Sequence, residues 1–129
     1  MKKKIIAIVQ ARQTSKRFKN KVLKKIGNMS IVQIINKRLK KSKLLNDIIF
    51  AIPNNKRNEK LKLHLEQSKI KFFCGSEDNV LKRYLDCSKN FKADIVVRIT
   101  ADCPFVDCNL LDQMLFDFLK FKKIDYYSN

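Results

Sequence analysis

Arg12, Ser15, Lys16, Arg17, Lys19 and Lys21 fall within one ten-residue stretch, and no glycine occurs between Gln10 and Gly27. Cationic side chains clustered with a hydroxyl hold anions, and their spacing here points to a polyphosphate. The stretch contains neither GxxxxGK[ST] nor GxGxxG, so it is neither a P-loop nor a dinucleotide fingerprint. Phosphate binding would therefore rest on side-chain cations together with backbone amides.

The element that must deliver this loop is the run Ile5, Ile6, Ala7, Ile8 and Val9. It is too short for a helix, and a β-branched run of this length reads as a strand buried on both faces. Open α/β sheets hold ligands at the carboxyl ends of such strands. After a turn over 24–28, Ser30 reads as the N-cap of a helix running to about Lys41, with Ile31, Ile34, Ile35 and Leu39 on one face. Strands are expected at 47–52, 70–73, 93–99 and, last and shortest, 125–127. Helices are expected at 59–68, from the acids Glu77 and Asp78 to Asn90, and at 109–121. Alternation of this kind predicts one α/β domain over 1–129, with a mainly parallel sheet covered by helices on both faces.

Composition narrows the class. A hydrophobic share of 45% supports a packed core in 129 residues. No apolar run approaches the roughly 20 residues of a membrane helix, and a cytoplasmic protein is expected. Cys74, Cys87, Cys103 and Cys108 lack the spacing of a metal site and read as reduced packing residues. His64, the single histidine, reads as a surface or boundary residue of its helix. The net charge of +17 is confined to the first half: residues 1–62 carry 19 Lys and Arg against Asp47 and Glu59, and residues 63–129 carry ten of each sign. One reading is a surface for nucleic acid. The other is solvated lysine-rich helix faces plus one phosphate loop. Phe18 is the only aromatic residue before Phe50, so no stacking platform is visible and nucleic acid is not the expected partner.

Four ordered motifs give these features a common meaning. Gln10-Ala11-Arg12 with Ser15, Arg17 and Lys21 is followed by Gly75-Ser76-Glu77-Asp78-Asn79-Val80-Leu81 with Arg83-Tyr84. Val97-Arg98-Ile99-Thr100-Ala101-Asp102-Cys103-Pro104 comes next, then Asp125-Tyr126-Tyr127-Ser128-Asn129. Together they resemble the sugar cytidylyltransferases of the spore-coat polysaccharide biosynthesis protein F family, relatives of the CMP-sialate and CMP-KDO synthetases. The resemblance implies the Rossmann-like fold of the nucleotide-diphospho-sugar transferases. It implies transfer of CMP from CTP to a sugar or sugar acid, with release of pyrophosphate, in polysaccharide or glycan biosynthesis.

By motif match, Gln10, Ala11, Arg12, Ser15, Arg17 and Lys21 would line the triphosphate, with Arg12, Lys21 and Asp102 in the catalytic set. Asp102 would ligate Mg²⁺, while Ser76, Asp78, Arg83 and Arg98 would lie near the nucleotide or sugar. Each has a plainer alternative: a turn or N-cap for Asp102, helix capping for Ser76 and Asp78, and an ion pair for Arg98, with Asp102 as one partner. Thr14 and Asn20 stand where the family usually has glycine, which implies a loop of a different shape. The family domain normally continues past its DYxSN-like motif. The chain is thus expected to be an N-terminal portion, truncated relative to the family and weak or inactive alone, with a homodimer or a partner chain as ways to complete it.

Overall fold

The computed structural model describes residues 2–14 and 16–129. Six strands and four helices follow one another: β1 (Ile5–Gln10), β2 (Lys25–Ile26), β3 (Met29–Ser30), α1 (Ile31–Leu39), β4 (Asp47–Pro53), α2 (Glu59–Gln67), β5 (Phe72–Gly75), α3 (Val80–Asn90), β6 (Ile95–Thr100) and α4 (Cys108–Lys120). Four of the strands form a parallel sheet in the order β5-β4-β1-β6. β1 pairs with β4 on one side, Ile8 opposite Ile49, and with β6 on the other, Ile8 opposite Arg98. The chain moves outward from β1 to β4 and β5, then returns across β1 to lay down β6. This reversal makes the carboxyl ends of β1 and β6 the point where a crevice opens.

Because side chains alternate along a strand, β1 feeds two cores. Ile5, Ala7, Val9 and Ala11 meet Val32, Ile35 and Leu39 of α1, Leu61 and Leu65 of α2, and Leu111 and Leu115 of α4. Ile6 and Ile8 join Ile49, Ala51, Tyr84 and Cys87 beneath α3. Desolvation there pushes the Cys87 thiol up to about 12, so this cysteine is a packing residue rather than a nucleophile. All four cysteines are free.

Sequence and structure part in several places. β6 lies at the sheet edge, and only Ile95, Val97 and Ile99 turn inward; Val96, Arg98 and Thr100 are exposed on the α3 face. The sheet is thus covered on both faces over β1, β4 and β5 but not over all of β6. Residues 125–127 form no strand. The turn at 24–28 is a tight hairpin, β2 against β3, with Gly27 at φ 64. α3 starts at Val80 and not beside Glu77 and Asp78, because Asn79 caps it by accepting from the Lys82 amide at 2.8 Å. Ser76 is one turn earlier, where its hydroxyl accepts from the Asn79 amide at 3.2 Å. No helix among the described residues is long and apolar enough to cross a membrane.

Ser30 does cap α1, in a capping box with Gln33. Its hydroxyl also lies 2.7 Å from His64 Nε2, tying α1 to α2. The half-buried His64 has its pKa lowered, first by burial and then by the charge on Lys25. The neutral ring is the form the fold prefers. This stabilisation is fully present above the unfolded value of 6.5 and is lost as the pH falls below it. Thermal unfolding is expected to show lower stability at pH 5 than at pH 7, and His64→Gln is expected to flatten part of that slope. A slope unaltered by the substitution would remove His64 from the account.

Candidate active site

At the carboxyl ends of β1 and β6 a cleft of about 180 Å³ is lined by Gln10, Ala11, Arg12, Lys21, Val22, Thr100, Ala101 and Asp102. Backbone pairing brings its two walls together, since the Ala101 amide donates to the Gln10 carbonyl at 2.9 Å. The buried side chains of Ala11, Val22 and Ala101 form its floor. A volume of this size suits the phosphate end of a nucleotide, since sites for whole drug-sized ligands run to ~300–1,000 Å³.

The basic loop leaves β1 at Arg12 and is anchored at both ends. Asn58, nearly fully buried, accepts from the Gln13 amide at 2.7 Å, and Gln13 Oε1 accepts from the Leu61 amide at 3.2 Å. The Asn20 amide donates to the Gln13 carbonyl at 3.2 Å, and the turn at Lys21–Leu23 then buries Val22. Asn20 sits at φ 54, in the left-handed region that asparagine tolerates better than most residues. The glycine expected at this point is thus replaced by the residue type best able to keep its backbone shape. Thr14 is not among the described residues with positive φ.

Asp102 is exposed at the rim of the cleft, and its Oδ1 accepts from the Thr100 hydroxyl at 2.5 Å. That bond holds the carboxyl below the usual carboxylate range; burial opposes it, while its own amide and Lys21 across the cleft assist. The result is a carboxylate ready to meet a cation, with Lys21 and Arg12 on the same cleft. Among the described residues Asp102 is the only acid lining the cleft, and no group of three His, Cys, Asp or Glu side chains is poised around a metal. One carboxylate fits Mg²⁺, which keeps several waters and takes phosphate oxygens. It does not fit a closed zinc site.

The residues picked out in the sequence separate into groups. Gln10, Ala11, Arg12, Lys21 and Asp102 converge on the cleft. Arg17 is exposed on the loop and does not line it. Ser15 lies outside the described residues. Ser76 and Asp78 precede α3, and Arg83 is buried in its first turn. Arg98 makes no ion pair with Asp102; its guanidinium stands 5.7 Å from the centroid of the Tyr84 ring. The reason is strand direction: Arg98 and Tyr84 share the α3 face of the sheet. Tyr84, whose hydroxyl donates to the Ile99 carbonyl at 3.0 Å, ties α3 to the end of β6. Asn58 carries no mark in the sequence that would single it out as a loop anchor, and Tyr84 is marked there only as a member of the second motif, not as a tie to β6.

A parallel sheet with a basic loop and one carboxylate at its switch point is an arrangement suited to holding an anionic ligand such as a nucleotide. The cytidylyltransferase family model matches residues 6–129, and the chain belongs to that family. It is 42% identical over 125 residues to an uncharacterized protein of Methanocaldococcus jannaschii, covering 97% of this chain and 51% of that one. It is 32% identical over 115 residues to the spore coat polysaccharide biosynthesis protein SpsF of Bacillus subtilis, covering 86% and 48%. A cytidylyltransferase structure from Leptospira borgpetersenii superposes with a TM-score of 0.87 at 31% identity, over 93% of this chain and 50% of that one. The chain therefore spans about half the length of the curated relatives it matches.

The Thr100–Asp102 contact is open to direct test. In a carboxyl-carbon NMR titration, Asp102 is expected to titrate below the ordinary aspartate range and to move up in Thr100→Val. A midpoint that ignores the loss of the hydroxyl would show that something else holds the carboxylate.

Proposed function

We propose that this domain binds CTP with Mg²⁺ and serves transfer of CMP to a sugar or sugar acid, releasing pyrophosphate, in polysaccharide or glycan biosynthesis. The observation that carries the reading is the convergence of Arg12, Lys21 and Asp102 on one cleft at the sheet's switch point. Family membership supports the nucleotidyl transfer, and the likeness to SpsF supports the polysaccharide setting.

The reaction has simple electrostatic demands. An acceptor hydroxyl attacks the α-phosphorus, the bond to the β-phosphate oxygen breaks, and pyrophosphate departs on the opposite side. Lys21 and Arg12 hold the β- and γ-phosphates and offset the charge that accumulates on the leaving group. Asp102, which accepts from the Thr100 hydroxyl, would hold the metal. Mg²⁺, when bound, offsets charge on the α-phosphate oxygens. The anchored ends of the loop fix Arg12 and Lys21 in place before the nucleotide arrives, which lowers the ordering cost of binding. The family resemblance adds Ser76, Asp78, Arg17 and Arg98 as further contacts to the nucleotide or sugar, and none of the four lines the described cleft.

Calorimetric titration with CTP and with ATP, each with and without Mg²⁺ and at two salt concentrations, is the test. Magnesium-dependent binding that favours CTP is expected. Lys21→Ala is expected to weaken CTP about tenfold or more, the worth of one charge-assisted contact. Asp102→Ala is expected mainly to abolish the Mg²⁺ dependence. Equal, weak binding of both nucleotides that vanishes at high salt would overturn the proposal.

A further inference from the structure

A second cleft, of about 300 Å³, lies at the amino ends of β4 and β5, at the opposite end of the sheet from the phosphate cleft. It is bounded by the last turn of α1, the connection from α1 into β4 and the residues leading into β5. Its volume reaches the range of sites for small organic ligands, ~300–1,000 Å³. Leu39, Ile48 and Ile70, all buried, give it an apolar lining, with the half-buried Leu45 beside them.

Several of its polar groups are already used by the fold. Asn46 Oδ1 accepts from the Ile5 amide at 2.7 Å, the Ser42 hydroxyl donates to Asp112, and Asp47 Oδ2 accepts from Lys71 Nζ at 2.6 Å. Asn36 is different. It is 9% exposed and is the one polar member of the buried stripe of α1, with Val32, Ile35 and Leu39. Its side-chain amide has no hydrogen-bond partner among the described residues. Neither its Oδ1 nor its Nδ2 is sealed off, so a molecule in the cleft can reach both. A buried amide is normally paired, and an apolar residue at this position would leave nothing unsatisfied.

The charges around the cleft are unbalanced as well. Its lining carries Lys40, Lys69 and Lys71 against Asp47 alone. Lys40 and Lys69 are exposed and belong to neither described ion pair, Lys71–Asp47 or Lys82–Asp86. Both stand at helix carboxyl ends, where a cation is favourable in any protein. Their charge alone is therefore no sign of a ligand; the unpaired amide in the same cleft is.

We propose that this cleft is a second binding site, for a small organic anion. The apolar body of the ligand rests on Leu39, Ile48 and Ile70, a polar group meets the Asn36 amide, and Lys40 and Lys69 hold a carboxylate or phosphate. The site shares no residue with the cleft of Arg12, Lys21 and Asp102, and it does not rest on the nucleotidyl-transfer reading.

The test titrates the 129-residue chain with 3-phenylpropionate and with phenyl phosphate, followed by amide NMR shifts. Saturable shifts at the Asn36 side chain and at the backbone of 69–71 are expected, and the tighter probe names the anionic group. 3-Phenylpropanol, an apolar body of the same kind without the charge, is expected to bind about tenfold more weakly or worse. Asn36→Leu is expected to melt at or above the wild-type temperature and to lose about tenfold in probe affinity. The double variant Lys40→Gln, Lys69→Gln, confined to exposed positions, is expected to lose as much with its melting unchanged. Lys21→Ala is expected to bind the probes as wild type does; a loss there would put them in the phosphate cleft and overturn the proposal. Shifts that never saturate, or an Asn36→Leu protein with wild-type affinity, would reduce the cleft to a hydrated gap and overturn it too. If Asn36→Leu fails to fold, the double variant decides, and wild-type affinity in it rejects the site.

Discussion

The parallel pairing of β1 with a neighbour on each side is the constraint on which the rest of this structure depends. A central strand in a covered parallel sheet must be apolar on both faces. Ile5 to Val9 meet that requirement without interruption, and all are buried. Once β1 is central, the chain must leave it toward one edge and return to the other. The crevice between the ends of β1 and β6 follows from that return. Charged residues placed immediately after β1 then have one place to go, the mouth of the crevice, where water and anions can reach them.

The two faces of β1 also divide the chemistry. Residue alternation sends Ala11 to one side of the sheet and its flanking positions to the other. On one side, Ala11 and Val22 form the apolar base under the loop, supported by α1 and α2. On the other, Gln10 and Arg12 share the α3 face with Tyr84, Arg83 and Arg98. A ligand lying over the strand ends would therefore feel cations from both layers. The bonds joining Asn58 and Asn20 to Gln13 matter here because, in the loop, the described residues between positions 13 and 20 form no helix or strand. Fixing its two ends limits how far Lys21 can wander from Asp102.

Much of this was legible in the sequence for physical reasons. The β1 run, the Ser30 cap and the amphipathic faces of α1 and α4 are local patterns, set by residues a few positions apart. The start of α3 slipped by three residues because caps compete: Ser76 and Asn79 are both good caps, and the one with the better reach to Lys82 prevailed. The edge position of β6 was not legible, since an alternating pattern is also that of a strand with one solvated face in the interior of a half-covered sheet. Arg98 could be assigned to an ion pair from its neighbours in sequence. Its stacking on Tyr84 depends on which face of β6 looks toward α3, and that is fixed by pairing with β1.

Arg83 shows where local reasoning stops. In sequence it occupies an ordinary helical position, i+4 from Asn79 and adjacent to a core tyrosine. Nothing nearby indicates that its stem will lie across Gly75, or that Arg12, 71 residues earlier, will stand close enough to repel it. A sequence selected only for stability would place an apolar residue there, because replacing an unpaired buried charge removes a cost and retains the packing. Retaining arginine at such a point makes the fold less stable than it could be. At the strand ends the cleft places Arg12 and Lys21 against one acid, Asp102, an imbalance of charge that suits an anionic ligand.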